Sequence, residues 1–467
     1  MQQNKKQNII YSLILIAYAI FTLVLVFHHE VWRDEAQVWL VARDLDFFGI
    51  IKHVRTEGHP LLWYFLVMPL TRIFHGFNAV MSMQILNWLF VVAGVGVFLF
   101  KSPFNFFLKI SLVLSSGFLY WYPVIARSYC LIPILVFLLA SLYKKQKEHP
   151  FVYAGLLIAL ANTHVIMFGF CGALALIFAW QFKDEIKTLF NKDNAKIVYN
   201  KIQLVAPLLV FIALLSIVLY LWGSQQENCM VDNKITNVTL PIISKGIIGS
   251  KDFFVNIICY LLIIIGFVCF FIQNKKIFFI YFSNIIFQFF IYCFIWDIII
   301  PQRIYTLIIV FLFCLWLIYD KIKSTKIQKV IIILLSLIFL LSSKNGLFLA
   351  IKDYQKDYSE GKSTAKFIIE NIKPETLIIS NCEFSTTAIS AYLPKEKKFY
   401  HLNKNLYYTY STWSKKEQKK EFQKIDIKEI LIQNKTIWIV TSVMTDLSEI
   451  FEIKKYDKEY INGNNKE

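Results

Sequence analysis

The chain reads as a polytopic α-helical membrane protein with a small α/β domain at its carboxyl end, and three observations predict this. Of its 467 residues, 57% are hydrophobic and 17% charged, against about 45–50% and about 25% in an ordinary soluble chain. Long apolar runs recur, among them 204–221, 253–272, 305–317 and 330–341, each of the kind that forms a buried or membrane-crossing helix. After about residue 346 the composition changes. Charged residues there alternate with short β-like runs (376–380, 398–401, 436–441) and helix-like stretches (363–372, 415–424), the pattern of a small α/β domain.

The elements follow in order from the charge pattern. The first apolar run, 9–27, is long enough to span and has no small-residue cleavage site behind it, so it is expected to remain as a helix. Lys5 and Lys6 place the amino terminus in the cytoplasm and the loop 28–78 outside. Segment 60–74 decides the rest. If it crossed, the lysine clusters at 101–109, 144–147, 183–201, 275–276 and 321–329 would all lie outside; as an interfacial helix it puts every one inside. It is shorter than the ~20 residues a span needs and ends in Arg72 and His75, so we read it as interfacial. Eleven crossings follow: 9–27, 79–100, 105–122, 127–143, 151–162, 164–182, 202–222, 253–273, 277–297, 303–320 and 328–343. The fifth and sixth share one apolar run broken at Asn162-Thr163-His164. Residues 1–345 form the membrane domain and 346–467 the external α/β domain.

The formal charge of +17 would suit a nucleic-acid binder, but its lysines sit in short loops between apolar spans, as in cytoplasmic loops of membrane proteins. Of eight cysteines, none has metal-ligand spacing. Cys229 and Cys382 fall in expected external segments and could pair.

This topology gathers Asp34, Glu35, Glu57, His59, Arg127, the Asn162–His164 break, Asp297, Arg303 and the tail on one face. Acids kept at a membrane interface ordinarily serve chemistry or ion handling. Trp32, Val38, Trp39 and Leu40 around Asp34-Glu35 suggest a helix lying on the membrane with its acids facing inward; the plainer alternative is a solvated pair beside Arg33. Simple helix capping accounts for Glu57 and Pro60 and leaves His59 unexplained. Arg127, in Ala126-Arg127-Ser128-Tyr129, is either a headgroup-level anchor or a phosphate ligand, the role for which guanidinium geometry is suited. His164 and Arg303 carry the same two readings. Gly361-Lys362-Ser363-Thr364 imitates a phosphate-binding loop, but the motif requires glycine where Lys356 stands.

These residues resemble the GT-C superfamily of membrane glycosyltransferases, specifically the bacterial branch similar to protein O-mannosyltransferases and the lipid A aminoarabinose transferase. The resemblance rests on Asp34-Glu35-Ala36 in the first external loop, on Glu57 to Leu61 before a short helix, and on Ala126-Arg127-Ser128-Tyr129 at the start of a later one. His59 departs from the pattern, which has proline there. The hydrophobic architecture agrees over roughly 8–345. The resemblance implies a glycosyltransferase of the bacterial inner membrane with an extracytoplasmic active site. It would take a monosaccharide from a polyprenyl-phosphate-linked donor and pass it to a glycan, lipid or protein acceptor. Asp34 would be the general base, Glu35 would assist or orient, and Glu57 would touch sugar or acceptor. Arg127 and Arg303 would hold the departing phosphate, with His59, Tyr129 and His164 beside them. Some members use a divalent metal, but no third carboxylate lies near Asp34 in the sequence, so no cofactor is assigned. A flippase for lipid-linked glycans, or a glycan polymerase or ligase, are the alternative functions. A flippase would be expected to show charges deep in several mid-membrane spans and repeated halves; here the acids cluster at one interface and the two halves do not resemble each other.

Overall fold

The computed structural model describes residues 2–185, 197–222, 242–294, 300–323, 325–380, 383–401, 404–413 and 437–440. Asp297, the Cys229–Cys382 pairing, the helix-like stretch 415–424 and the end of the 277–297 span lie outside these residues.

The helices, in chain order, are α1 (Gln2–His28), α2 (Arg33–Asp44), α3 (Phe47–Glu57), α4 (Leu62–Ile73), α5 (Met81–Lys101), α6 (Phe106–Val113), α7 (Leu131–Leu142), α8 (Pro150–Ala161) and α9 (Phe168–Trp180). They continue with α10 (Ile197–Leu221), α11 (Ile242–Ile248), α12 (Phe253–Gln273), α13 (Lys275–Phe294), α14 (Pro301–Ile318), α15 (Lys326–Gln355), α16 (Gly361–Asn371) and α17 (Glu383–Ser390). Among the described residues, 7 helices are long and apolar enough to cross a membrane. They are α1, α5, the helix Ser128–Lys145 that contains α7, α10, α12, α14 and α15. Their outward faces carry exposed Leu13, Leu215, Ile264 and Ile333, apolar surface that a hydrocarbon solvent stabilises. The chain is a helical membrane protein.

One of the expected spans takes a different form. Residues 105–122 are no single helix: α6 stops at Val113 and a π-helical turn follows at Gly117–Trp121. Ser115 and Ser116 lie at the break, where the Ser116 hydroxyl donates to the Ile247 carbonyl (2.8 Å) and the Ser116 N–H to Ser342 Oγ (3.1 Å). Serine hydroxyls that bond elsewhere offer the backbone an alternative to the helical ladder. The expected break at 162–164 is present, with α8 ending at Ala161 and a 3₁₀ turn beginning at Val165.

The loop 28–78 folds into three helices. In α2 every residue from Glu35 to Ala42 is buried, so the helix is enclosed on all sides. This differs from the expected surface-lying helix. The reason is that α4 covers one face and the tail helix α17 another. Asp46 caps α3 by accepting from the Gly49 N–H (2.7 Å), and Gly58 ends it in the left-handed region (φ 72°) that glycine reaches without steric cost. Glu57 is therefore the last residue of α3, and α4 starts after Pro60 at Leu62. With 12 residues, α4 rises about 18 Å, too short for a ~30 Å hydrocarbon core. It buries Trp63, Tyr64, Val67 and Thr71, and Arg72 donates to the Arg43 (2.6 Å) and Leu45 (2.9 Å) carbonyls at the end of α2.

Helix α15 continues to Gln355, past the expected domain boundary at 346. The apolar pattern carries on through Leu347, Phe348, Ala350 and Ile351, with Ala350 buried. Beyond it the strands β1 (Leu377–Ser380), β2 (Phe399–His401), β3 (Leu406–Tyr408) and β4 (Ile437–Val440) form one sheet in the order β3-β2-β1-β4. β1 runs parallel to β2 and β4, with Ile379 opposite Tyr400 and Ile439, while β2 and β3 are antiparallel. The tail sits on α2. The Val31 N–H donates to Tyr392 Oη (3.1 Å), Arg43 donates to the Leu393 carbonyl (2.9 Å), and Gln37 exchanges two 2.8 Å bonds with the Ser411 backbone.

Helix α15 passes the broken segment at Gly346, where an added Cβ would lie 2.8 Å from Ser116 Cα. A backbone atom cannot rotate away, so Gly346→Ala must separate the two segments. We expect a loss of ~1–3 kcal/mol, read as a lower thermal midpoint of the detergent-solubilised protein; an unchanged midpoint would show that the contact yields freely.

Candidate functional site

Asp34 and Glu35, adjacent on α2, point about 100° apart and do different things. The Glu35 side chain is fully buried and both its oxygens are occupied. One accepts the Ala126 N–H (2.5 Å); the other accepts the Trp32 N–H (3.2 Å) and meets His29 Nε2 (3.0 Å). The Trp32 bond is the back-reach of an acid at the third helical position. Glu35 thus ties the start of α2 to the segment before α7.

Asp34 reaches the edge of a polar cluster. Its two oxygens accept from Arg33 Nε (3.0 Å) and Arg127 (3.0 Å). Burial pushes its carboxyl upward, but Arg127 and Arg33 outweigh this and hold it below the usual carboxylate range. The Arg127 guanidinium lies 5.5 Å from the Tyr129 ring centre. Tyr129 Oη meets His164 Nε2 at 2.8 Å and accepts from Arg303 Nε at 2.9 Å. His164 Nδ1 accepts the Ile166 N–H (3.2 Å), which assigns the ring proton to Nε2 and makes it a donor to Tyr129. The His59 and His164 ring centres are 5.4 Å apart. Burial, then the Arg127 charge, lowers His59 to about 4. The His59 ring is therefore neutral at pH 7. Asp34, His59, Arg127, Tyr129, His164 and Arg303, drawn from five separate stretches of chain, form one cluster.

Glu57 lies in an adjoining knot. It accepts from Gln37 Nε2 (2.7 Å) and the Tyr64 hydroxyl and faces His53 Nε2 (3.3 Å). Burial acts upward on its carboxyl, and His53, Tyr64 and Gln37 together hold it below the usual range. Since Gln37 also holds Ser411, this knot fastens the tail to α2. The tail reaches Asp34 as well: the Arg33 guanidinium lies 5.4 Å from the ring centres of both Phe384 and Trp413, within cation–π range.

Among the described residues no group of three or more His, Cys, Asp or Glu is arranged to hold a metal ion. Each Asp34 oxygen already faces a guanidinium whose charge would repel a cation, so the donor set does not fit the divalent metal that the resemblance allowed. The chemistry available is an ionised carboxylate beside guanidinium, phenol and imidazole donors, an arrangement suited to an anionic ligand.

Sequence reasoning missed His29, Gln37, His53, Tyr64 and Asp353. His29 and Asp353 are the notable pair: His29 Nδ1 lies 2.7 Å from Asp353 Oδ2 and both side chains are buried. His29 stands next to the last residue of α1, six residues before Glu35, a proximity that could have flagged it. Asp353 has no such local signal, being 324 residues away.

No protein-family model matches the chain, and no curated protein matches it.

Burial works against a charge on His29, but Glu35 and Asp353 overcome it and raise the ring from 6.5 to about 10. A raised folded-state value contributes stability that is complete below the unfolded value and lost as pH climbs through the folded one. The thermal midpoint of the solubilised protein should therefore fall between pH 7 and 10, and His29→Gln should flatten that slope. A wild-type midpoint independent of pH in this window would contradict the pairing.

Proposed function

We propose that this chain is a glycosyltransferase of the bacterial inner membrane that moves a monosaccharide from a polyprenyl-phosphate-linked donor to a glycan, lipid or protein acceptor on the extracytoplasmic face. The observation that carries this reading is the pairing of Asp34 with Arg127, backed by Tyr129, His164 and Arg303. It sets one carboxylate against a group of donors that suits a phosphate.

The step balances with these residues alone. The acceptor oxygen attacks the anomeric carbon and gives its proton to Asp34. The bond from that carbon to the phosphate oxygen breaks, and the polyprenyl phosphate leaves with the electron pair. Attack opposite the leaving group inverts the anomeric centre. Asp34 paired with two guanidinium groups is a weak base. A donor phosphate that draws Arg127 onto itself removes one of them and strengthens the base when the acceptor must be deprotonated. Arg127 and Arg303 then stabilise the charge that develops on the leaving phosphate. Asp34 is the catalytic base, Glu35 holds the segment that carries Arg127, and Glu57 fixes the tail over the site.

Membranes containing the protein, supplied with a polyprenyl-phosphate sugar and an extract of envelope acceptors, test this. Asp34→Asn should lower transfer by about a hundredfold or more while polyprenyl phosphate still binds, whereas Arg127→Ala should weaken that binding. Undiminished transfer by Asp34→Asn would remove Asp34 as the base.

A further inference from the structure

Two adjacent acids grip two adjacent residues. Glu35 accepts the Ala126 N–H at 2.5 Å while Asp34 accepts the Arg127 guanidinium at 3.0 Å. The start of this segment is held by Asn87 of α5, whose amide donates to the Tyr122 (2.8 Å) and Pro123 (3.1 Å) carbonyls. Asn87 thus fixes the stretch that leads to Arg127, and Glu35 holds the residue before it. What holds Glu35 is His29, and what holds His29 is Asp353.

The chemistry of this chain of contacts is specific. Both ring nitrogens of His29 face carboxylate oxygens, at 3.0 and 2.7 Å. An ionised carboxylate only accepts, so both nitrogens carry hydrogen and the ring is an imidazolium. Asp353 Oδ2 also accepts the Tyr120 hydroxyl (2.9 Å), from the same turn that leads to Ala126. The ring packs edge-on against Tyr358 at 4.8 Å, and the His29 carbonyl accepts from Gln84 of α5 (3.1 Å). The mechanism proposed above uses neither His29 nor Asp353. Asp353 lies two residues before the end of α15, where the chain leaves for the tail.

We propose that Asp353, His29 and Glu35 form a positioning relay that transmits the placement of the carboxyl end of α15 to the Ala126–Arg127 backbone and so sets the Arg127 guanidinium against Asp34. The relay makes the attachment of the tail a determinant of the site although neither His29 nor Asp353 touches the cluster. Its geometric part stands on these contacts; its consequence for donor binding rests on the function proposed above.

The rate of phenylglyoxal modification at Arg127, followed by peptide mass spectrometry on the full chain in detergent, reads the geometric part directly. Asp34→Asn removes the direct partner and sets the upper limit. Asp353→Asn, nearly the same shape, should raise the Arg127 rate by about fivefold or more, with exposed Arg55 unchanged as the internal reference. Tyr120→Phe, which deletes only the outermost hydroxyl, should raise it by less. A wild-type rate in folded Asp353→Asn, with Asp34→Asn accelerated, overturns the relay. If Asp353→Asn does not fold, a wild-type rate in Tyr120→Phe overturns it. For the functional part, polyprenyl phosphate should bind more weakly to Asp353→Asn than to wild type, and no more weakly to Arg127→Ala/Asp353→Asn than to Arg127→Ala. Additive losses in that cycle mark a merely structural role and overturn the proposal. A wild-type protein that does not bind polyprenyl phosphate overturns the functional reading instead, and the labelling rates still decide the relay.

Discussion

A carboxylate removed from water must be compensated, and Glu35 is removed completely. Burying one of these groups unpaired would cost several kcal/mol, so its partners are as much a part of the fold as the core. Those partners come from three places: the end of the first membrane helix, the start of α2 and the segment ahead of α7. Because the compensation must be made there, the geometry of Asp34 and Arg127, each next to one of the anchored positions, follows from it. The polar cluster is in this sense a by-product of how one buried acid is satisfied.

The tail obeys the same logic at a second acid. Glu57 is satisfied by Gln37, Tyr64 and His53, and Gln37 completes its own hydrogen bonding on the Ser411 backbone. Enclosing α2 on all sides requires such a cover, since a helix buried from Glu35 through Ala42 has no face left for solvent or lipid. Arg33 lies near Phe384 and Trp413 of the tail while it holds Asp34. Residues more than three hundred positions apart thus share one small volume, and Phe384 and Trp413 of the tail stand beside the cluster.

Much of this was legible in the sequence. The apolar runs marked the membrane helices, and the short segment ending in Arg72 and His75 was recognisable as too short to cross. Asp34, Arg127 and the break at His164 stood out because charged or polar groups beside apolar spans are costly. Three features were hidden for physical reasons. Helix α2 reads as an amphipathic surface helix, yet Glu35 and Trp39 are both buried, and only the tertiary cover reveals it. The run 105–122 has the composition of a span, but the bonds that break it depend on Ile247 and Ser342, far along the chain. Asp353 sits in the last turns of a lysine-bearing helix, where an acid ordinarily means solvent. Its partner His29 reads as the fringe of a membrane helix. Pairings over such separations leave no periodicity to detect.

The central claim is that Glu35 and His29 are satisfied by each other, and a thermodynamic cycle tests it most directly. Unfolding of the solubilised wild type, Glu35→Gln, His29→Gln and the double variant would be measured at pH 7. Removing one partner of a buried pair should cost about 3–5 kcal/mol, and the double variant should lose little more than either single one. Losses that simply add would mean that the two side chains do not depend on each other, and the account of the site would fail with them.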